Sequence, residues 1–437
     1  MASSTDRRTF LAASSAAIAA AAVMKAPRRA FAAGANDMLV VGLVGCGGRG
    51  VHDAGLFQNT PNVKVAYVAD VDQGRLAEGA RKFAVESDHA VDDMRRVLDD
   101  KTVDAVIVAT PDHWHSPASI LACDAGKHVY VEKPISHNIR ESRLVVQASE
   151  RNKTLVQHGT QSRSTPMMIE AVQMLRDGAI GDVLVAKCWN IQLRGSIGRG
   201  KDTDPPAGLD YENWVGPAPM IPYRTNRVHN RWTWWYHFGC GDMGNDGVHD
   251  IDYTRWGLGA DTHPSKVSAL GGKWFFDDDQ QFPDTQQVTF EYPSASSGRS
   301  RLLIYEQRLW STNYPRNCDS GAEFYGTKGQ LFLSRRGKIE LVGERNRRAD
   351  VSIQPGEQND ALHVKNFCDA IRGGARLNAD ALTGHLSASL CHLGNIATRL
   401  GRSLEFDPGS EQVKGDPEAN ALVRREYRAH WGTPRGA

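Results

Sequence analysis

The chain has 437 residues, of which 41% are hydrophobic and 24% are charged. This composition is typical of a soluble globular protein, and the length allows two domains with separate cores. The formal net charge of +1 carries no large basic excess, which argues against nucleic acid as a partner. The seven cysteines include no C-x-x-C pair, so the sequence indicates neither a zinc site nor a disulfide framework, and we expect no metal.

Residues 1–33 have the features of an export signal. Arg7 and Arg8 precede an apolar stretch, Ala12–Val23, and the small residues Ala30-Phe31-Ala32 then form a cleavage pattern. This order predicts a twin-arginine signal and therefore an exported, periplasmic protein. The apolar stretch of about 12 residues is too short to span a bilayer, so we expect no membrane span. Because Asp6 departs from the usual motif, an ordinary secretory signal or an uncleaved leader stays an alternative.

Residues 38–158 alternate between short β-branched runs and charged amphipathic segments. This alternation predicts a parallel sheet covered by helices, as in an α/β nucleotide-binding domain. The predicted strands are Leu39–Val44, Val63–Ala69 and Ala105–Ala109, and the predicted helices are Gln73–Phe83 and Ile139–Asn152.

Residues 159–437 follow a different pattern, in which strands succeed one another without intervening helices. Such succession predicts an α+β domain with a large, mostly antiparallel sheet. We expect it to bind the substrate, and its sheet offers a face for a homo-oligomer. The predicted elements are the helix Met167–Asp177, the strand Val183–Trp189, a polar loop Arg194–Gly208, the strands Lys266–Trp274, Gln287–Tyr292, Arg301–Glu306, Gln330–Ser334 and Lys338–Val342, and the helices His363–Arg372 and Thr383–Leu400.

A glycine-rich turn follows the first predicted strand. Gly45, Gly47 and Gly50 satisfy G-x-G-x-x-G at the start of a helix, and the next strand ends at Asp70, 20 residues beyond Gly50. This combination predicts a dinucleotide site whose pyrophosphate lies at the helix N-terminus. The Asp70 carboxylate would bond the ribose hydroxyls and repel a 2′-phosphate, which favours NAD over NADP. The turn as a whole supplies the predicted cofactor residues Gly45, Gly47, Gly48, Arg49 and Gly50.

Two further segments follow strand ends on the same side of the predicted sheet. The first is Thr110-Pro111-Asp112-His113-Trp114-His115, and the second is Glu132-Lys133-Pro134 after Gly126–Val131. With the glycine turn, their order resembles the glucose–fructose oxidoreductase/inositol dehydrogenase family over essentially the whole mature chain. The resemblance implies a nicotinamide nucleotide in this crevice, contacted by Thr110, Pro111, His115, Glu132 and Lys133. The Lys133–Pro134 bond is a candidate cis peptide.

The resemblance also implies the catalytic groups. The lysine of Glu-Lys-Pro lies at substrate and nicotinamide in the family, so Lys133 is expected to be catalytic. Gly239–Asp252 resembles the family's Asp-x-Gly-x-His-x-x-Asp helix, which makes His249 the acid/base group. Asn245 stands where the family has an aspartate, and it can orient a hydroxyl but cannot accept a proton. We expect Asn245, His249 and Asp252 to share a helical face, with Asp246 rotated by about 100° and unable to substitute.

Aromatic and planar polar residues are concentrated between Trp189 and Trp256, where six of the ten tryptophans lie. Aromatic faces beside hydrogen-bond donors suit a carbohydrate, although most of these tryptophans would serve equally well in a core. Trp232 and His229 are the substrate-binding candidates from this stretch. Gln161 and Arg163, just past the domain junction, are further candidates.

The sequence therefore predicts an NAD-dependent oxidoreductase that transfers a hydride at a hydroxyl-bearing carbon of a sugar or cyclitol, with tightly bound cofactor. Two alternatives remain open. One is a redox-neutral glycosidase, lyase or epimerase that oxidises the sugar transiently, and the other is a binding protein that kept the fold and lost the chemistry. The fold by itself cannot decide among them.

Overall fold

The computed structural model describes residues 38–229, 231–293 and 298–436. Its first sheet is parallel with strand order β3-β2-β1-β4-β5-β6, the doubly wound arrangement of dinucleotide-binding domains. The strands are β1 (Leu39–Val44), β2 (Val63–Ala69), β3 (Ala90–Val91), β4 (Ala105–Val108), β5 (His128–Val131) and β6 (Val156–His158). The connecting helices are α1 (Gly48–Gln58), α2 (Gln73–Phe83), α3 (Arg95–Asp99), α4 (Asp112–Asp124) and α5 (Ile139–Asn152).

The central strands of this sheet are apolar without alternation because helices cover both faces. Every residue of β4 is buried, and β1 exposes part of Val40 alone among its six residues. The side chains of Asp72 and Asn138 cap α2 and α5 by accepting hydrogen bonds from backbone N–H groups of the first turn. The strand ends thus converge on one edge of the sheet, where the chain turns into the helices.

The second sheet has ten strands in the order β14-β13-β12-β11-β7-β10-β9-β8-β15-β16. Neighbouring strands are antiparallel except β7 and β10, so the sheet is mixed but mostly antiparallel. The strands are β7 (Val183–Asn190), β8 (Lys266–Gly272), β9 (Thr285–Tyr292), β10 (Arg301–Arg308), β11 (Ser320–Gly326), β12 (Gly329–Ser334), β13 (Lys338–Gly343), β14 (Arg348–Ala349), β15 (Leu404–Asp407) and β16 (Gln412–Val413).

Helices cover one face of this sheet. In β9 and β10 buried residues alternate with half-buried ones, the pattern of a sheet with one covered and one open face. The remaining helices are α6 (Pro166–Arg176), α7 (Tyr211–Val215), α8 (Gly241–Asn245), α9 (Gly247–Leu258), α10 (Asp360–Ile371), α11 (Ala381–Leu400) and α12 (Pro417–Val423). The predicted fold class, a Rossmann domain followed by a mostly antiparallel α+β domain, is confirmed.

The two late helices, α10 and α11, both contact the first domain. α10 packs on α1, and its Phe367 ring lies 5.9 Å from Phe57 and 6.0 Å from Tyr130 in the core of the first domain. α11 contacts both α5 and β8 and therefore lies between the domains. No described helix combines the length and the apolar character needed to cross a bilayer. The predicted signal, residues 1–33, lies outside the described residues.

Candidate active site

A cleft of about 420 Å³ opens where the strand ends of the first sheet face the second domain. Carboxyl ends of parallel strands are the usual ligand site of such sheets. Both domains line it, the first through its glycine turn, strand ends and Lys133, and the second through His249 and its neighbours. Other lining residues are Asp70, Val71, Arg75, Asp92, Met94, Thr110, Pro111, Asp112, His115, Glu132, Gln161, Trp214, His229, Trp232, Asn245, Asp246, Arg335, Gln358 and Trp431.

Two glycines of the turn, Gly45 and Gly50, leave no room for a side chain. Gly45 has φ +96°, and a Cβ there would lie 2.6 Å from the Ala109 carbonyl oxygen. A Cβ on Gly50 would lie 1.9 Å from the Gly45 carbonyl oxygen, so this glycine lets α1 approach β1 closely. Gly47, Gly48 and the Arg49 side chain line the cleft at the N-terminus of α1. This cradle suits the pyrophosphate of a dinucleotide.

Asp70 lies at one end of the glycine turn. Its carboxylate accepts hydrogen bonds from the backbone N–H of Cys46, at 2.7 Å, and of Asp72, at 2.9 Å. The side chain lines the cleft, as expected of a group that reads ribose hydroxyls. Arg75 lines the same end, and its Nη1 would lie 2.9 Å from a Cβ on Gly47.

Segments of the second domain lie across this ribose end. The Gln73 N–H donates to the Gly208 carbonyl at 2.9 Å, and the Asp210 N–H donates to the Val71 carbonyl at 2.9 Å. His229 Nε2 lies 3.1 Å from Asp72 Oδ2. We call residues 208–229 the cover segment. His229, predicted to bind substrate, therefore lies at the ribose end of the cleft, as part of this segment.

A cluster of charged and polar side chains lies in the middle of the cleft. Arg49 bonds Glu132 at 2.9 Å, and Gln161 Nε2 donates to the same carboxylate at 3.1 Å. Burial alone would raise the pKa of Glu132, but the Arg49 and Lys133 charges keep it below its usual range. Gln161 lines the cleft and fixes Glu132. His115 joins the two motif segments, with Nε2 2.8 Å from the Thr110 carbonyl oxygen and Nδ1 2.6 Å from that of Pro134.

Lys133 points from the first domain towards the second. The Lys133–Pro134 peptide is cis, as predicted. Its Nζ donates to Asn245 Oδ1 at 2.8 Å and to the Asn245 carbonyl oxygen at 2.9 Å. These two acceptors are neutral, whereas the family's aspartate at this position would offer a carboxylate. The ammonium group is thus held beside the reacting end of the cleft without a directly bonded anion.

Asp246, predicted to be rotated by about 100° from Asn245, also lines the cleft, and the helix is interrupted at this residue. α8 ends at Asn245, and α9 begins at Gly247. The His249 N–H bonds the Asp246 carbonyl at 3.1 Å, three residues back, so the register is that of a tighter turn. Both Asn245 and Asp246 therefore line the cleft, and the Asp246 carboxylate pairs with Arg194.

His249 lies in the wall of the cleft and is 5% exposed. Burial lowers its pKa well below the usual value, and the positive charges of Arg335 and Lys133 act in the same direction. The imidazole is therefore neutral at neutral pH and able to accept a proton. Its Nδ1 is buried without a hydrogen-bond partner among the described residues.

Arg163 does not belong to the cleft, contrary to the prediction. Its Nε bonds the buried Asp252 carboxylate at 2.7 Å, and its guanidinium carbon lies 4.9 Å from the Trp256 ring centroid. Asp252 is therefore a structural partner of Arg163. His249 and Asp252 lie one turn apart in α9, but the Asp252 carboxylate is bonded to Arg163 and Ser387 and does not line the cleft.

The tryptophan-rich stretch divides between core and cleft. Trp189, Trp234 and Trp235 are buried in apolar clusters and do not line the cleft. Trp232 lines it, as predicted, and Trp214 does so as part of the cover segment. The pattern in the sequence could not separate these roles, because core and carbohydrate sites use the same rings.

Sequence reasoning did not single out four charged groups of the cleft, Arg75, Asp92, Asp112 and Arg335. Asp112 lies four residues after the end of β4, so the strand-end rule could have identified it, and burial raises its pKa to about 7 against the opposing charge of Lys133. Arg335 comes from the turn between β12 and β13 and is only 8% exposed. Its sequence, Arg335-Arg336-Gly337, carries no signal that distinguishes it from a solvated hairpin turn.

Comparisons with known proteins agree with this geometry. Residues 39–160 match the model "Oxidoreductase family, NAD-binding Rossmann fold", and residues 188–433 match "Oxidoreductase family, C-terminal alpha/beta domain". A scyllo-inositol 2-dehydrogenase (NAD(+)) of Bacillus subtilis is 25% identical over 332 residues, covering 74% of this chain and 83% of that protein.

Two solved structures share the fold. Levoglucosan dehydrogenase, in complex with NADH and levoglucosan, superposes with TM-score 0.64 at 20% identity over 84% of this chain and 99% of its own. An aldose-aldose oxidoreductase from Caulobacter crescentus, complexed with glycerol, superposes with TM-score 0.63 at 18% identity over 84% and 100%. With a cradle that fits a dinucleotide and family models that match both domains, the chain belongs to the glucose–fructose oxidoreductase/inositol dehydrogenase (Gfo/Idh/MocA) family of NAD-binding oxidoreductases.

Proposed function

We propose that the protein transfers a hydride between NAD and a hydroxyl-bearing carbon of a sugar or cyclitol. The observation that carries this proposal is the neutral, buried His249 in the same cleft as Lys133 and the glycine cradle. The names of the relatives support the substrate class, since one acts on inositol and another is bound to levoglucosan.

Each residue of the cleft has a separate role in this proposed reaction. NAD held by the glycine turn and Asp70 would supply the hydride acceptor and, in its reduced form, the hydride donor. His249 accepts the hydroxyl proton at Nε2, because Nδ1 is buried. Lys133 Nζ donates a hydrogen bond to the substrate oxygen as negative charge develops there. Asn245 holds Lys133 in place through both of its oxygens.

We also infer that the nucleotide is held tightly and that the catalytic cycle is redox-neutral. The cover segment supports this inference, because its contacts with Val71, Asp72 and Gln73 must break before a nucleotide can leave the ribose end. The hydride would then return to the same molecule or to a second sugar. The aldose-aldose oxidoreductase name describes a reaction of the second kind.

Nucleotide content tests the tight binding. The mature protein is purified, dialysed and denatured, and the released nucleotide per chain is measured. A near-stoichiometric yield supports the closed cycle. Protein that emerges empty, turns over steadily with added NAD and releases NADH would refute it and leave a conventional dehydrogenase.

A glycosidase, lyase or epimerase that oxidises the sugar transiently is the second candidate. The cover segment favours it as much as a two-sugar exchange, because both need a retained nucleotide. Product analysis separates them: exchange between sugars yields one oxidised and one reduced product, whereas elimination or epimerisation yields products at the oxidation level of the substrate. Inactivity in all of these assays would favour the binding protein.

The sequence of residues 1–33 supports export of the protein. Arg7-Arg8 and the short apolar stretch fit a twin-arginine signal, a route that carries folded proteins and so permits export with the nucleotide bound. We propose a periplasmic location on this basis. Fractionation of cells that express the wild type and an Arg7→Lys/Arg8→Lys variant tests it, with retention of the variant in the cytoplasm as the expected result.

We further propose that the open face of the ten-stranded sheet joins two copies of the chain. Large apolar side chains are exposed beside β8 and β9, including Leu270 at 79%, Trp274 at 70% and Phe275 at 61%. Phe275 stacks on the partly exposed Trp310 at 5.5 Å, which extends the apolar patch. Light scattering after gel filtration tests this, and a monomer at micromolar concentration would contradict it.

A further inference from the structure

Arg335 is the one buried Lys or Arg among the described residues that line the cleft, and its side chain is under-bonded. Its guanidinium makes one hydrogen bond among the described residues, from Nε to Ser320 Oγ at 3.2 Å. Its Nη2 is buried with no hydrogen-bond partner. A buried guanidinium has five N–H donors and costs free energy when they are left unbonded. The residue therefore has donors available for a ligand in the cleft.

The nearest carboxylates only partly balance this charge. Asp246 Oδ1 lies 3.6 Å from Arg335 Nη2, beyond hydrogen-bond length, and the same carboxylate pairs more closely with Arg194. Asp250 Oδ1 lies 3.7 Å from Arg335 Nε. Burial raises the pKa of Asp250 to about 7, so it is about half ionised at neutral pH.

Lys133 is a second cation of the cleft without a directly bonded anion, because its Nζ bonds two neutral oxygens of Asn245. Lys133 and Arg335 lie on either side of the Asn245–Asp246 pair, and neither has an anion at hydrogen-bond distance. A ligand carboxylate would supply such an anion.

We propose that Arg335 binds a carboxylate of the substrate, and hence that the substrate is an acidic sugar, a uronate or a uronoside. This inference rests on the proposed function, since it names the substrate class of the same cleft. A planar guanidinium pairs with a carboxylate through two parallel hydrogen bonds, which a sugar hydroxyl cannot reproduce. A hydroxyl of a neutral sugar could accept a single hydrogen bond there, but it would leave the buried charge of Arg335 without a counter-ion.

Matched sugars test the proposal. Glucuronate and glucose, and galacturonate and galactose, differ only in a carboxylate against a hydroxymethyl group. We expect the wild-type kcat/KM to be about 10- to 100-fold higher for the acid of each pair, the range of a charge-assisted hydrogen bond. We also expect the KM for the acid, but not for the neutral sugar, to rise with salt.

Variants test whether Arg335 causes the preference for the acidic sugar. Arg335→Gln should lower kcat/KM for the acid by far more than for the neutral sugar, and Arg335→Lys should restore part of the difference. Arg336→Gln is the matched control, because Arg336 is the exposed neighbour and pairs with Asp319 outside the cleft. Melting temperatures of all three report folding, and the salt dependence of the wild type needs no variant.

The outcomes separate this inference from the proposed function. If wild type turns over neutral sugars as well as or better than acids, or if Arg335→Gln weakens both equally, the inference is wrong and the proposed function stands. If calorimetry shows uronate binding that needs Arg335 but no hydride transfer occurs with any sugar, the inference stands and the proposed function is wrong.

Discussion

Lys133 Nζ lies 2.8 Å from Asn245 Oδ1, so the ammonium group of one domain is held by an amide of the other. The amide carries no charge, and burial together with the positive charges of Arg335 and Lys133 keeps His249 neutral. The charge at position 245 is therefore expected to affect how readily His249 is protonated.

Asn245→Asp should therefore raise the pKa of His249. A carboxylate at this position stabilises the imidazolium and so offsets part of the burial penalty that holds the wild-type pKa low. Because proton acceptance needs neutral His249, the acidic limb of the pH–rate profile should move to higher pH. Asn245→Leu, which keeps the branching at Cγ and carries no charge, is the uncharged control. An unchanged acidic limb in the Asp variant would place residue 245 away from the reacting group.

Lys133→Met and His249→Asn should each lower turnover by about 100- to 10,000-fold, the usual contribution of a positioned acid/base group. Nucleotide binding should persist, because the glycine cradle and Asp70 remain intact. Single-turnover kinetics and nucleotide content per chain measure the two effects separately. Near-wild-type turnover in either variant would remove that residue from the mechanism.

Asp70→Ala should weaken NAD binding and relax discrimination against NADP. The variant loses the acceptor for ribose hydroxyls, and it leaves Arg75 at the same end of the cleft, where a guanidinium can pair with a 2′-phosphate. Dissociation constants for both nucleotides, measured on protein stripped of bound nucleotide, give the ratio. A wild type that already prefers NADP would contradict the role assigned to Asp70.

His229→Ala should speed release of the nucleotide. The substitution removes the contact between His229 Nε2 and Asp72 Oδ2 that fastens the cover segment to the ribose end. We expect the dissociation rate, followed by chase with excess nucleotide, to rise severalfold, with little change in turnover by nucleotide-loaded protein. His89→Ala is the control, because His89 stacks on Tyr67 and does not line the cleft. Equal rates in wild type and His229→Ala would show that the segment does not govern release.

The protein should lose stability in mild acid. Burial lowers the pKa of five histidines to about 3 or 4: His113, His158, His363, His385 and His392. The unfolded chain binds protons at these groups below pH 6.5 and the folded chain does not, so their contribution is complete above pH 6.5 and falls as the pH drops towards 4. Each group contributes up to about 1.4 kcal/mol per pH unit in this window.

Urea denaturation between pH 7.5 and 5 measures this loss. His392→Gln keeps a side chain able to reach Ser136 but cannot be protonated, so its stability should fall less steeply with pH than that of the wild type. A free energy of unfolding that is constant from pH 7.5 to 5 would contradict the prediction.

The glycine turn and the strand ends could be predicted because their chemistry is local. Gly45 has a positive φ, which favours glycine, and Asp70 directly follows the end of β2. Both features can therefore be recognised in the sequence. The bounds of the elements were also close: the predicted helix Thr383–Leu400 begins two residues earlier, at Ala381, after the capping Asp380. Arg335 enters the cleft from a turn more than 80 residues beyond His249, and that approach depends on the packing of the whole second sheet.

Arg163 and Asp246 show the second limit of sequence reasoning. Arg163 pairs with the buried Asp252, an ion pair between residues 89 positions apart that has no local signature. Asp246 enters the cleft because one turn of helix is tightened, and an ideal period of 3.6 residues cannot anticipate such a change.

The return of α10 to the first domain makes the nucleotide-binding unit discontinuous along the chain. Val364 and Phe367 fill the core beside Phe57, so a fragment that stopped at residue 158 would leave that apolar surface open to water. Such a truncation would aggregate instead of yielding a free-standing nucleotide binder. During synthesis, the first 158 residues cannot complete this core on their own, because the helix that fills it ends at residue 371. Completion of the nucleotide-binding unit is therefore a late step, which follows most of translation.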